Sequence, residues 1–401
     1  MAEHATQAPE FKRSTHGQII AGDLDNIRTA LGYLNAYATF DEFRREVLIY
    51  GRPLEDSDLE GLWVQIQDQY GFRPPLETLR RLIVADARQA AGHPVREYLD
   101  RLKWDGRPRL DSWLTDYGGA EDTAYVRAVA RLILLAAVRR VRQPGAKFDE
   151  LAILESEQGR GKSSALRALC PRADWFSDDL PLGVESKQVI ERTAGKLIIE
   201  AAELHGNRGR EAEQLKAFLS RQEDGPCRLA YARMPVSVKR QFVIVGTTNA
   251  RQGYLKDPTG ARRFWPVNVT GFDVAGLTRD KDQLWAEASV REAEGESIRL
   301  HESLWTDAAK AQEARRAGDP WEAILEPLFE GDGVTAPMSV PVSAVWDALG
   351  LAASHLDNRH ADRISAIAQR FGFTRKSKRR IGGARPVWCW TRHDDDDGDD
   401  T

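Results

Sequence analysis

One segment constrains this chain more than any other. Residues 149–169 run from an apolar stretch, AspGluLeuAlaIleLeuGlu, through SerGluGlnGlyArgGlyLysSerSer into AlaLeuArgAlaLeu. Read as strand, loop and amphipathic helix, this is a phosphate-binding loop in its required setting. Gly159 and Gly161 let the backbone curl with its N–H groups pointing inward, and the helix opening at Lys162 adds the positive end of its dipole. Lys162 would then reach the β- and γ-phosphates of ATP, and the Ser163 hydroxyl would ligate Mg²⁺. Glu157, Gln158, Arg160 and Ser164 complete the expected nucleotide cradle. The GxxxxGK[ST] pattern has one departure, Ser156 in place of its first glycine, which leaves intact the four residues that pack against phosphate.

A chain of 401 residues, 42% of them hydrophobic, has room for two or three cores. Cys170, Cys227 and Cys389 stand far apart and form no metal-ligand or disulfide spacing, which points to a reducing cytoplasm. The first residues lack the apolar core of a signal peptide, and the apolar stretch 129–138 is too short for a bilayer, so no membrane partner is expected. The net charge of −4 conceals a division. Six aspartates crowd residues 394–400, and without them 57 basic residues face 55 acidic ones, a balance of +2. Just before them, 372–392 holds seven Lys or Arg and no acid, interleaved with Trp388 and Trp390. Such a basic, aromatic stretch is a nucleic-acid footprint, with Arg375, Lys376, Lys378, Arg379 and Arg380 as its phosphate contacts.

The pattern divides the chain into a mobile tail (1–18), a mainly helical domain (19–118), a nucleotide-binding domain (119–316), a C-terminal domain (317–393) and a disordered acidic tail (394–401). Within 19–118 only ValLeuIleTyr at 47–50 reads as strand, and Asp25 reads as the N-cap of a helix starting at Asn26. A strongly apolar helix at 122–142 feeds the loop strand. Further strands at 173–177, 196–200, 241–247 and 264–269 alternate with helices, which implies an α/β fold with a parallel sheet, followed by a helical stretch at 277–316. From 317 onward, helices at 321–329, 340–349 and 358–370 precede two strands joined by IleGlyGly at 381–383, the layout of a winged helix. If its last helix enters the major groove, Arg359, His360 and Arg363 would carry sequence preference.

Two more elements carry chemistry. LysLeuIleIleGlu at 196–200 is an apolar strand ending in a carboxylate, followed by a second acid at Glu203. Glu200 is the Mg²⁺-side residue and Glu203 the base that polarises the attacking water, and the spacing leaves the exchange of these roles open. GlnPheValIleValGlyThrThrAsn at 241–249 delivers the amide of Asn249 at a strand tip, where additional-strand ATPases place a sensor of the γ-phosphate. Arg262 and Arg263 follow just before the next strand, suited to act as fingers from a neighbouring subunit.

WFSDDL (175–180), GKLIIEAAEL (195–204), LKAFLSRQED (215–224), YAR (231–233), GTTN (246–249) and DPTGARRFWPV (257–267) resemble the virulence-associated protein E family, and HPVREYLDRLKWDGRPRLDSWL (93–114) resembles its segment ahead of the ATPase. These are phage and mobile-element ATPases related to superfamily 3 helicases. The resemblance implies an AAA+-like core, a homo-oligomeric, hexameric ring and an arginine finger at Arg262 or Arg263. It also implies a DNA-gripping hairpin with its tip near Arg233, supported by Arg228, Tyr231, Lys239 and Arg240. The region before the ATPase is too short for a primase module, so a separate primase or initiation partner is expected. The reading is an ATP-driven DNA helicase for replication of a phage, prophage or satellite element, acting on single-stranded and duplex DNA in a bacterial cytoplasm. A non-translocating DNA-dependent ATPase and a DNA-binding module on an inactive ATPase fold stay open as alternatives.

Overall fold

The computed structural model describes residues 9–202, 209–228, 234–250, 253, 261–316, 319–331, 337–351, 357–380 and 385–392. The chain folds as two compact units, residues 1–251 with 262–312 and residues 252–261 with 313–401.

The first unit begins with three helices, Leu24–Tyr33, Asp56–Tyr70 and Leu76–Gln89. Their apolar residues recur three and four apart, as in Leu59, Leu62 and Ile66 or Leu79, Leu82 and Ile83, so each helix turns one stripe inward. The stripes close over a four-stranded sheet ordered Arg52–Pro53, Glu46–Ile49, Ala38–Asp41 and Ala91–Gly92. Only the second of these carries an apolar signature of its own. Ala38–Asp41 becomes a strand by pairing with it in an antiparallel hairpin, from Ala38 opposite Ile49 to Asp41 opposite Glu46.

Two expectations about the N-terminus need correction. From Phe11 onward the segment is anchored, because the Phe11 ring packs 5.4 Å from Tyr70 and 5.3 Å from Phe72. The buried Asn26 amide holds the backbone as well, donating to the carbonyls of Lys12 and Ile20 and accepting from the Lys12 N–H at 2.7 Å. Asp25 does not cap the first helix. Asp23 does, accepting from the N–H groups of Asp25 and Asn26, while Asp25 sits in the first turn and pairs with Lys12.

The larger part of this unit is a five-stranded, all-parallel sheet in the order Phe264–Asn268, Leu151–Glu155, Val243–Thr248, Ile198–Ala201, Phe176–Ser177. Helices Ala124–Arg142, Lys162–Leu169, Ser186–Thr193, Gly209–Leu219 and Val274–Ala293 alternate with or flank these strands. The strand between Leu151–Glu155 and Ile198–Ala201 is the one that ends just before Asn249, which sets the order of side chains at the sheet's carboxyl edge. Ala124–Arg142 is apolar nearly all round and accordingly buried, with Thr123 capping its start by accepting from the Val126 N–H. Among the described residues no helix is long and apolar enough to cross a membrane.

The packing does not divide at 118. Val95, Leu99, Leu110, Trp113 and Leu114 lie in the same core as the sheet and the helix Ala124–Arg142. Polar bonds reinforce this junction: Trp113 Nε1 donates to the carbonyl of Ala130 at 2.8 Å, and the buried Glu287 carboxylate accepts from the N–H groups of Arg109 and Leu110 at 2.6 and 2.9 Å. The helical domain expected at 19–118 therefore contributes its last quarter to the sheet's own core.

In the second unit, helices Pro320–Glu330, Val342–Ala348 and Asn358–Arg370 enclose Leu325, Phe329, Val345, Ile364 and Ile367. The two expected strands, Phe373–Arg379 and Val387–Arg392, form an antiparallel hairpin, and a third strand, Ser339–Pro341, joins the outer side of Val387–Arg392. Three residues ending in proline carry no strand signal of their own, so this edge is visible only once paired.

Trp113 tests the continuity of the first unit. Trp113→Ala removes a fully buried ring and leaves the Ala130 carbonyl without its indole donor, so a loss of about 3–5 kcal/mol is expected. Calorimetry should show one shifted transition for this unit, with the sheet and residues 93–118 melting together.

Candidate functional site

The strand Leu151–Glu155 is buried along its whole length and delivers the chain to the carboxyl edge of the sheet. There the loop turns through Gly159 and Gly161, both at left-handed φ values of +80° and +79°, which a side chain would strain. Gly161 then opens the helix Lys162–Leu169 without any side-chain cap, so the first-turn N–H groups face the cleft with the dipole's positive end behind them. Residues 158–164, Glu200, Ala202, Thr247, Thr248 and Asn249 line a cavity of about 370 Å³. Arg160 reaches back to Glu157 at 2.6 Å, and its carbonyl accepts from the Phe272 N–H, which pins the loop.

Lys162 is 7% exposed, and its ammonium has four acceptors in reach: the Ser156 carbonyl at 3.0 Å, Ser156 Oγ at 2.8 Å, the Glu157 carbonyl at 3.1 Å and Asn249 Oδ1 at 3.0 Å. Burial lowers its pKa from the usual lysine range, and the nearby Glu200 carboxylate pulls it back up. Ser156, the departure from the glycine pattern, has no left-handed backbone to accommodate and instead holds the lysine through its hydroxyl. One residue on, Ser163 Oγ donates to Glu200 Oε1 at 2.7 Å, and Thr247 Oγ1 donates to the same oxygen at 2.6 Å. The sheet thus brings Lys162 to Asn249 and Ser163 to Glu200, all four lining one cavity. It also adds Ser156 and Thr247, to which the motifs gave no role, because Ser156 stands there as a departure from the glycine pattern and Thr247 lies within the buried strand Val243–Thr248. Glu203 lies outside the described residues.

Among the described residues no group of three or more His, Cys, Asp or Glu side chains gathers to hold a metal. The oxygens at hand are those of the Glu200 carboxylate and of the Ser163 and Thr247 hydroxyls bonded to it, a sparse set of the kind that suits Mg²⁺ shared with phosphate oxygens. The cleft therefore offers a buried cation and an uncapped helix start for an anion, beside an oxygen pair for a hard cation.

The model of the virulence-associated protein E-like domain matches residues 99–317, more than half of the chain. The chain belongs to that family. No curated protein matches the sequence. Among solved structures, the apo structure of the NrS-1 C terminal region (305-718) is similar at a TM-score of 0.50 and 11% identity, covering 91% of this chain and 98% of that one. Two A-form apo structures of the same region, each 12% identical and with the same coverage, give TM-scores of 0.49 and 0.45. At such identities the likeness is one of fold.

Other residues singled out in this virulence-associated protein E-like chain lie elsewhere. Arg262 and Arg263 precede the strand Phe264–Asn268, whose parallel register sets Phe264 opposite Leu151 and Asn268 opposite Glu155. They sit at the amino edge of the sheet, on the order of 15 Å along the strands from the loop. Arg263 approaches Asp149 at 3.3 Å, and Arg262 is exposed. Within one chain neither arginine reaches Lys162.

The expected hairpin exists, with Glu223–Cys227 antiparallel to Val236–Lys239. Its first strand falls earlier than LeuAlaTyr, and the tip with Tyr231 and Arg233 lies outside the described residues. Lys239 and Arg228 are exposed. Arg240 is not a DNA contact. Its guanidinium is buried, bidentate to Asp224 at 2.7 and 2.7 Å, bonded to the Phe218 carbonyl and stacked 4.1 Å over the Phe218 ring.

In the second unit, Lys376, Lys378, Arg379 and Arg380 are exposed on or just past the strand Phe373–Arg379. Arg375 is on the same strand, with its side chain outside the described residues, as is that of Arg359 on the preceding helix. Arg363 is not available for reading bases, because Asp319 holds it at 2.7 and 2.5 Å and Trp321 lies 3.8 Å below it. His360 also stacks on Trp321, with the ring centroids 5.6 Å apart.

The two neighbouring basic residues of the first hairpin should separate cleanly. Arg240→Ala strands a buried Asp224 and should cost about 3–5 kcal/mol in denaturant unfolding. Lys239→Ala, at an exposed position, should leave the unfolding midpoint unchanged.

Proposed function

We propose that the chain is a DNA-dependent ATPase, and specifically an ATP-driven helicase serving replication of a phage, prophage or satellite element. The observation that carries this reading is the joined set at the sheet edge: Lys162 bonded to Asn249, and Ser163 bonded to Glu200. Two bonded pairs gathered from three strand ends suit a nucleoside triphosphate, because each residue matches a different part of it. Lys162 and the uncapped helix start hold the β- and γ-phosphates. Ser163 and Glu200 would hold Mg²⁺, which would supply neutralisation of the phosphate charge. Asn249, released from Lys162 as phosphate takes the ammonium, orients the attacking water or the γ-phosphate. Glu203 serves as the base that accepts the water's proton.

The sheet order supports an additional-strand, AAA+-like core, since the strand ending at Asn249 is inserted between the loop strand and the Glu200 strand. The arginines at the opposite edge of the sheet favour a site completed in trans, in which Arg262 or Arg263 of one subunit neutralises charge at the next, as in a homo-oligomeric ring of six. The second unit, with three helices and a three-stranded sheet bearing exposed cations, is read as a winged helix that contacts duplex DNA, while the hairpin with Lys239 tracks single strands. An inactive ATPase fold fits poorly with a buried lysine poised beside its partners.

Lys162→Ala should lower ATP turnover by about 10²–10³-fold or more with the fold retained, measured by phosphate release and circular dichroism. Wild-type turnover in that variant would remove the assignment. Glu200→Gln should raise the Mg²⁺ concentration needed for half-maximal activity. A finger supplied in trans is worth about 10³–10⁵ in rate, so mixing Arg263→Ala, or Arg262→Ala, with Lys162→Ala protein should restore part of the activity that each lacks. Fork unwinding separates the helicase from the non-translocating reading: turnover stimulated by DNA without strand separation would favour a loader or switch.

A further inference from the structure

The hairpin of the second unit carries two lysine–tryptophan pairs that look alike and are placed differently. Lys376 stands opposite Trp390 and Lys378 opposite Trp388, two residues apart on each strand and therefore on one face of the ladder. In both pairs the ammonium lies over the ring, at 4.2 and 5.5 Å from the centroid. Trp390 is sunk among Leu325, Phe329, Val340 and Ile364 and is 4% exposed. Trp388 continues the same face past the edge of that core and is 55% exposed, next to Val387 at 40%. The core thus uses one indole and leaves the other in solvent, in a field of cations: Lys376, Lys378, Arg379, Arg380 and Arg385 are exposed, and no acid occurs between 373 and 392.

We propose that Trp388 is a base-stacking platform, so that this hairpin prefers DNA carrying an unpaired base beside a duplex over a plain duplex. The inference rests on the reading of the hairpin as a DNA surface and deepens it. An exposed indole ringed by cations binds a flat ring joined to a phosphate, the chemistry of a nucleotide in a single strand. In an intact duplex the base faces are taken up by their neighbours, whereas a base at a junction offers a free face. The phosphates on either side of it would meet Lys378 and Arg379, whose strand pairs with Val387–Arg392.

The test compares a short blunt duplex with the same duplex bearing a single-stranded extension, by fluorescence anisotropy on the full chain without nucleotide. Trp388→Ala should weaken binding to the extended duplex by about 5- to 150-fold, the range of one lost base–aromatic stack, and leave the blunt duplex unchanged. Trp388→Phe should retain most of the preference, and 2-aminopurine at the junction should lose its quenching in Trp388→Ala alone. An unaltered ratio of the two affinities in Trp388→Ala would overturn the proposal. The paired charge reversal Lys378→Glu with Arg379→Glu tests the underlying reading separately. If it weakens blunt-duplex binding while Trp388→Ala leaves the ratio intact, only the stacking inference fails; if it changes nothing, the hairpin is not a DNA surface and both fall. Binding to phosphatidylserine vesicles that disappears in Trp388→Ala, with DNA binding unaffected, would assign the platform to lipid and overturn the proposal.

Discussion

A buried ammonium organises this molecule's chemistry. Lys162 sits where water barely reaches, and a cation there is tolerated only among several acceptors. They come from two places, the loop carbonyls and hydroxyl at 156–157 and the amide at Asn249, so the lysine ties together the carboxyl ends of two neighbouring strands. The same arrangement positions Ser163 one residue on, where it meets Glu200 with Thr247. A cation held by neutral oxygens rather than by a carboxylate can exchange those partners for an anion without an ion pair being broken first, which is why the proposed nucleotide site is built on this lysine.

The scaffold beneath this site uses buried charge in a different way. Arg140, on the apolar helix Ala124–Arg142, donates to the carbonyls of Ala146, Phe148 and Phe242, and burial pulls its pKa down to about 10. Arg240 is matched with Asp224 between two phenylalanine rings, and Glu287 closes on the backbone of Arg109 and Leu110. Each is satisfied by a fixed set of partners, so each fixes one chain crossing. Breaking one partner of such a set is costly, which makes these residues structural despite their charge.

Legibility from sequence followed the range of the forces involved. The loop strand, its two glycines and the helix at Lys162 were readable because strand periodicity, positive φ and helix initiation act within a few residues. The Glu200 and Asn249 strand tips were readable for the same reason, as apolar runs ending in a polar group. Ala38–Asp41 and Ser339–Pro341 were not, since neither has a strand pattern and both become strands only through pairing. The anchoring of Phe11 and Lys12 was hidden because its partners, Tyr70, Phe72 and Asn26, lie far along the chain and the local composition is polar. Arg240 misled for a related reason: beside Lys239, at the end of a basic stretch, nothing local marks one cation as buried and the other as exposed.

By itself, then, the sequence determined the alternation of strands and helices, the phosphate-suited loop and the identity of the polar residues at each strand end, all of which follow from short-range backbone preference and hydrophobic periodicity. Only the tertiary structure decided which strands are neighbours. That choice brings Asn249 to Lys162 across 87 residues and Glu200 to Ser163 across 37, and sends Arg262 and Arg263 to the far edge of the sheet. It also decided that Trp390 fills a core while Trp388 stays in water. Burial and strand order depend on which surfaces meet when the whole chain closes, and a side chain's own neighbours in sequence carry no record of that.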